Sequence, residues 1–218
     1  GAALNADYSL RSARPLTNLT RWQLTSAPPR KYQTKLALGL RAQNLHLPAG
    51  YNPRTLALAQ RWRADAGSDD AAVVARALTW IRREFAYSLD TPLPGRHTAD
   101  EFLFDQKVGF CEHFSSAFAI LMRGAGIPAR VVTGYTGGIY NRFGDYLLVR
   151  RMDAHAWAEV WLPQRGWVRV DPTAAVAPER IYDTLEDRLG TAEGGLELLA
   201  RWRDAGHLSD WLRRSWND

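Results

Sequence analysis

Apolar spacing divides the 218-residue chain into a helical first half and a strand-rich stretch after it. Asn52-Pro53 reads as an N-cap with proline at the first helical position, opening a helix that runs to about Ala64. Val74, Ala77, Leu78, Ile81 and Phe85 then fall at helical intervals behind the cap Ser68-Asp69-Asp70, which predicts a second helix to about Phe85. Ala86–His97 reads as a short strand and a Pro/Gly loop, and Thr98-x-x-Glu101 as a capping box before a short helix ending near Phe104. Phe114, Ala117, Phe118 and Leu121 recur at i, i+3, i+4 and i+7, the stripe of a core-packed helix, with Gly124, Gly126 and Pro128 as its stop.

After Pro128 the period changes from helical to alternating. Arg130–Tyr135, Tyr146–Arg150, His155–Leu162 and Trp167–Asp171 read as four strands of an antiparallel meander, with a glycine-rich loop at Thr136–Gly144. Thr17–Thr25 alternates weakly before Pro28-Pro29, which predicts an N-terminal strand or two packed on the main body. Residues 178–218 read as helical and amphipathic, with Leu198, Trp202, Leu212 and Trp216 as their apolar positions. The predicted organisation is an N-terminal extension over 1–50, a core over 51–177 and a C-terminal helical segment over 178–218. The class is α+β, a central helix packed on an antiparallel sheet.

Composition narrows the field without naming a function. Apolar content of 46% with 23% charged residues is that of a globular chain and excludes intrinsic disorder. No run approaches the ~18 apolar residues of a membrane-spanning helix, and no signal-peptide pattern is recognised. A single cysteine allows no internal disulfide, and the absence of clustered Cys/His spacing leaves no zinc or other metal and no cofactor expected. Residues 1–63 hold ten Lys/Arg against Asp7 alone, within a net charge of +5. Such a basic segment fits an anionic surface or simply a solvated arginine-rich face. No helix-turn-helix, RNP or zinc-finger pattern accompanies it, so no nucleic-acid partner is expected.

The one cysteine, Cys111, sits where the core-packed helix before Pro128 begins. A helix start favours the thiolate, because unpaired N–H groups and the positive dipole end face it, and the same N–H groups suit an oxyanion. The alternative for Cys111 alone is a small buried hydrophobe. What weighs against it is downstream. Strand alternation puts His155, Trp157, Glu159 and Trp161 on one face, and setting Ala156, Ala158 and Val160 against Val168 and Val170 brings Asp171 to the His155 side. A connection over 161–165 would place His155 directly opposite Asp171, which could then fix the imidazole tautomer. A thiol, a histidine and an orienting carboxylate together make an activated nucleophile. His113, about 200° around the helix from Cys111, is expected to point elsewhere. His46, His97 and His207 read as ordinary exposed residues.

Among neighbours, Trp157 either walls an acyl channel or packs in the core. Tyr135 is a candidate for substrate contact, and Phe110 for the helix entrance and oxyanion support. Glu112 suits a helix start, and Glu159 is set to pair with Arg169 across the strands.

The segments GFCEHFSSAFAILMRGAGIPARVVTGY and DAHAWAEVWLPQRGWVRVDPT, within residues 98–174, resemble the transglutaminase-like core of the papain-like superfamily. More particularly, the chain is similar to the periplasmic domain of a bacterial inner-membrane transglutaminase, with membrane spans on either side of that domain. The resemblance implies that Cys111 is the nucleophile, His155 its base and Asp171 the third member of the triad. It implies protein-glutamine γ-glutamyltransferase chemistry on a glutamine donor and a primary-amine acceptor, without a metal. A cysteine peptidase or amidase using the same triad, a non-enzymatic binding module, and arylamine acetyl transfer remain the competing readings.

Overall fold

The computed structural model describes residues 2–4, 10–15, 17–18, 21, 23, 25 and 33–178. The chain divides into two units, Gly1–Arg30 and Lys31–Asp218. In the first, β1 (Ala2–Leu4) pairs antiparallel with β2 (Leu10–Ser12). The strand expected at Thr17–Thr25 lies partly outside the described residues, and the described positions within it are not in a strand. The helical segment expected over 178–218, with His207 and its aromatic stripe, lies outside the described residues except for Pro178.

The second unit opens with α1 (Leu38–Leu45), α2 (Pro53–Ala66) and α3 (Asp70–Glu84). Asp69 caps α3 through the Ala72 N–H, and Val74, Ala77, Leu78 and Ile81 are buried as the apolar stripe predicts. The cap of α2 differs from expectation. Asn52 precedes Pro53 in the left-handed region (φ 52°), which Asn tolerates, and makes no cap bond to its own helix. Its Oδ1 instead accepts from the N–H groups of Ala99 and Asp100. In return, the Asp100 carboxylate accepts from the N–H groups of Arg54 and Thr55 and from the Thr55 hydroxyl. Two helix starts thus cap each other across some 45 residues of chain, a reciprocity that no local window reveals.

The second capping expectation is also corrected. The short helix α4 (Thr98–Asp100) starts after His97, with no side-chain cap bond from that position, and runs on as one π-helical stretch, Glu101–Gln106. Glu101 reaches back to the N–H groups of Gly95 and His97. Beyond it, β4 (Val108–Gly109) pairs parallel with β3 (Ala86–Tyr87) and leads directly into α5 (Cys111–Gly124). Phe114, Phe118 and Leu121 of α5 have no exposed surface and Ala117 almost none. Each large side chain so buried contributes about 1.5–3 kcal/mol relative to exposure.

α5 packs on α2 and on a three-stranded antiparallel sheet of order β5 (Ala129–Tyr135), β8 (Ala154–Leu162), β9 (Gly166–Val170). The expected four-stranded meander is corrected by the residues between β5 and β8. β6 (Ile139–Asn141) pairs only with β7 (Tyr146–Leu148) among the described strands, as a separate hairpin whose Tyr140, Tyr146, Leu147 and Leu148 are exposed. These residues alternate no apolar face toward the core, so they have no reason to join the buried sheet.

The register of β8 and β9 carries the site. Ala158 lies opposite Val170 and Val160 opposite Val168, as the burial of small apolar residues demands. The turn is shorter than expected, however. Leu162 pairs with Gly166, leaving Pro163–Arg165 as a three-residue connection closed by the Arg165 N–H on the Leu162 carbonyl. The pairing is therefore shifted by two residues from the one that put His155 directly opposite Asp171. An even shift leaves every side chain on its face.

Candidate active site

Cys111 is the first residue of α5, and its placement follows from the segment before it. The Ala86 N–H donates to the Lys107 carbonyl and the Ser88 N–H to the Gly109 carbonyl, each at 2.9 Å, so the chain entering α5 is stitched to β3. Gly109 cannot carry a side chain there: an added Cβ would lie 2.8 Å from Phe102 Cε2 and 2.9 Å from His113 Cβ. Phe110 is extended, its carbonyl accepts from the N–H groups of His113 and Phe114, and its ring meets His113 edge-on at 4.4 Å. The packing of His113 on Phe110 and Phe102, rather than toward the sheet, agrees with its position around the helix. Burial pushes the His113 imidazolium down, opposed by the charge of Glu112.

His155 is the second residue of β8 and only 7% exposed, like Asp171. Although Asp171 lies one residue past β9, its Oδ2 sits 2.7 Å from His155 Nε2, reaching it diagonally across the strands. The other carboxylate oxygen accepts from the Thr173 N–H at 3.2 Å, which turns the chain around Pro172 and aims the side chain. Arg169 Nη2 is 3.5 Å from Asp171 Oδ2, while its guanidinium lies over the Trp157 ring at 4.2 Å. The expected Glu159–Arg169 pair is not made. Glu159 pairs with Arg130 at 2.6 Å instead, and Arg169 turns toward the candidate site.

The Trp157 ring stacks beside His155, with centroids 6.2 Å apart and planes 27° from parallel. Its outer edge lies against Gly134, where an added Cβ would be 2.8 Å from Trp157 Cη2. Trp157 thus acts on the site through the imidazole it packs on.

With Nε2 turned to Asp171, Nδ1 is the imidazole nitrogen left for the Cys111 thiol. Burial pulls the His155 imidazolium down, but hydrogen bonds with Asp171 and Cys111 and the attraction of both outweigh it, pushing its pKa up to about 9 from 6.5. Positive charge is therefore held on His155 at neutral pH. These residues border a cleft of about 320 Å³, lined by Cys111, Glu112, Thr133, Tyr135, Ala154 and His155.

Of the residues singled out from sequence, Cys111, His155 and Asp171 come together. Tyr135, 56% exposed, lines the cleft mouth. Trp157 and Phe110 are not part of the lining. Glu112, read only as a helix-start residue, does face the cleft. Arg169 is a further neighbour of Asp171, and its alternation onto the Asp171 face of β9 is the sequence signal for it.

A half-buried thiol at a helix start beside a buried imidazole–carboxylate pair on an antiparallel sheet defines a class: an α+β protein with a Cys–His–Asp cluster at the helix–sheet junction. The transglutaminase-like superfamily model matches residues 57–172, more than half of the chain, and the chain belongs to that superfamily. It is 41% identical to a protein-glutamine gamma-glutamyltransferase of Pseudomonas aeruginosa over 98% of its length, but spans only 32% of that protein. It also resembles the Bacillus subtilis protein YebA, at 50% identity over 34% of this chain and 11% of that one. Among solved structures, it matches the periplasmic domain of TgpA from Pseudomonas aeruginosa bound to ethylmercury, with a TM-score of 0.75 and 42% identity over 83% of this chain and 65% of that one. Another crystal structure of the TgpA periplasmic domain matches with a TM-score of 0.67 and 48% identity over 72% of this chain and 54% of that one. The fold is thus the papain-like, transglutaminase-like one. No helix among the described residues is long and apolar enough to cross a membrane.

Proposed function

We propose that this chain is the catalytic domain of a periplasmic protein-glutamine γ-glutamyltransferase, with Cys111 as nucleophile, His155 as acid and base, and Asp171 as the residue that orients His155. The observation that carries the reading is the 2.7 Å contact between His155 Nε2 and Asp171 Oδ2, which reserves the other ring nitrogen for Cys111. The raised His155 pKa supports it, because an imidazolium beside the thiol is the partner a thiolate nucleophile needs. A periplasmic location is supported by the likeness to the TgpA periplasmic domain.

The steps follow from these groups. The Cys111 thiolate attacks the carboxamide carbon of a glutamine side chain, and the carbonyl electrons move to oxygen. The Cys111 backbone N–H, left without an intrahelical partner at the first position of α5, is a donor for that oxyanion. As the C–N bond breaks, the His155 imidazolium gives its proton to the leaving nitrogen, ammonia departs, and a thioester remains. A primary amine then attacks the thioester carbonyl, and neutral His155 takes its proton. Cleavage of the C–S bond releases the isopeptide and restores thiolate and imidazolium.

The test is incorporation of a fluorescent primary amine into a glutamine-rich acceptor protein, with wild type beside Cys111→Ala. Incorporation that the variant loses is the expected result. Cys111-dependent ammonia release with no incorporation would move the chain to the hydrolases, and activity retained in Cys111→Ala would overturn the assignment.

A further inference from the structure

Ser115 has no exposed surface, and its hydroxyl donates to the carbonyl of Ala156 at 2.9 Å. It stands four residues after Cys111, one turn along the same face of α5. Ala156 follows His155 directly in β8. The hydrogen bond therefore joins the helix carrying the thiol to the strand carrying the imidazole, one residue from the ring on one side and one turn from the sulfur on the other.

The sheet itself explains why a donor is needed there. β8 and β9 pair with Ala158 opposite Val170, so continuing that register would set Ala156 opposite Pro172. Proline has no N–H to offer. The chain leaves β9 at this point so that Asp171 can turn to His155, its Oδ1 held by the Thr173 N–H. That departure leaves the edge of β8 beside His155 without a β9 partner, and a buried carbonyl in that position requires another donor. Ser115 is at hand on the packed face of α5.

We propose that Ser115 is a positioning residue that sets the separation of Cys111 and His155 by bonding α5 to β8 at the Ala156 carbonyl. This rests on the reading of Cys111 and His155 as a working pair. Alanine at position 115 keeps the apolar packing and removes the bond, so α5 is free to settle against the sheet at a different height. Asp171 remains bonded to His155, and the change falls on the thiol–imidazole distance alone.

The test compares wild type with Ser115→Ala and Ser115→Cys, the latter nearly isosteric and a weaker donor. Folding is checked by urea denaturation. Alkylation of Cys111 by iodoacetamide is followed from pH 5 to 10 by mass analysis of the Cys111 peptide, together with kcat and KM for amine incorporation. Folded variants are expected to lose at least tenfold in kcat with KM within twofold, and to lose the inflection that His155 imposes on the wild-type alkylation profile. A folded variant with wild-type kcat and an unchanged profile overturns the proposal. Failure of both variants to fold overturns it too, because Ser115 would then serve stability alone. Failure of the underlying pair would show differently, as wild-type alkylation without any inflection from His155.

Discussion

Asp171→Asn isolates one charge in a site whose other atoms stay in place. In the wild-type protein one carboxylate oxygen faces His155 Nε2 at 2.7 Å and the other accepts from the Thr173 N–H at 3.2 Å. An amide has one oxygen and one NH2, so it serves only one of these donors. If the oxygen keeps Thr173, the NH2 meets Nε2 and forces the imidazole proton onto Nδ1, the nitrogen that must receive the thiol proton. If the oxygen keeps His155, the NH2 opposes the Thr173 N–H and loosens the turn at Pro172. Either way the negative charge that offsets burial is gone, and the His155 pKa falls from about 9 toward or below its ordinary 6.5.

The difference between 6.5 and about 9 corresponds to roughly 3 kcal/mol at ~1.36 kcal/mol per pKa unit, shared between Asp171 and Cys111. Because the folded pKa is raised, this stabilisation is present in full below about 6.5, declines as pH rises, and is lost above about 9. Urea unfolding should therefore show Asp171→Asn less stable than wild type by about 1–2 kcal/mol at pH 6, with the gap shrinking by pH 10. NMR titration of the His155 ring should give the lowered pKa directly. The turnover number should fall roughly 10²–10⁴-fold, as loss of a positioned acid–base group does. An Asp171→Asn protein with a His155 titration near 9 and a pH-independent stability difference would show that Asp171 does not hold the charge on His155.

Three further outcomes follow from the same geometry. Gly134→Ala puts a Cβ 2.8 Å from Trp157 Cη2, so the indole must shift against His155; the expected cost is about 1–3 kcal/mol by thermal unfolding, with kcat reduced more than KM. Asp100→Ala strips the cap from two N–H groups and a hydroxyl at the start of α2, and should cost about 1–3 kcal/mol in urea while leaving the pH dependence of kcat unchanged. The pH profile of kcat/KM in the wild-type protein should show an alkaline limb near 9, where the His155 imidazolium of the free enzyme is lost as the proton donor to ammonia.

The parts of the fold that were legible in the chain are those with a strong period. The α5 stripe and the alternation of β8 and β9 fix which faces are buried, and because side-chain direction in a strand has period two, His155 and Asp171 shared a face whichever even register was chosen. The register differs by two residues from the one that apolar spacing suggests, because the length of the turn after Leu162 is decided by the backbone. The helix caps depart from local rules for a different reason. Asn52 and Asp100 satisfy each other's helices from far apart in sequence, while local rules see only the residue next to the helix. Ser115 and Arg169 act at the site through a carbonyl and a carboxylate that only the tertiary structure brings near them, and neither belongs to a motif.

In the proposed reaction the acyl group is held on Cys111 before it reaches the amine. The direct measurement is intact-protein mass spectrometry after mixing with a glutamine-containing peptide in the absence of amine. The expected result is an adduct equal to the peptide less ammonia, located on the Cys111 peptide, absent in Cys111→Ala, and discharged to isopeptide product when a primary amine is added. Isopeptide formation without any such adduct, or an adduct that survives in Cys111→Ala, would contradict it.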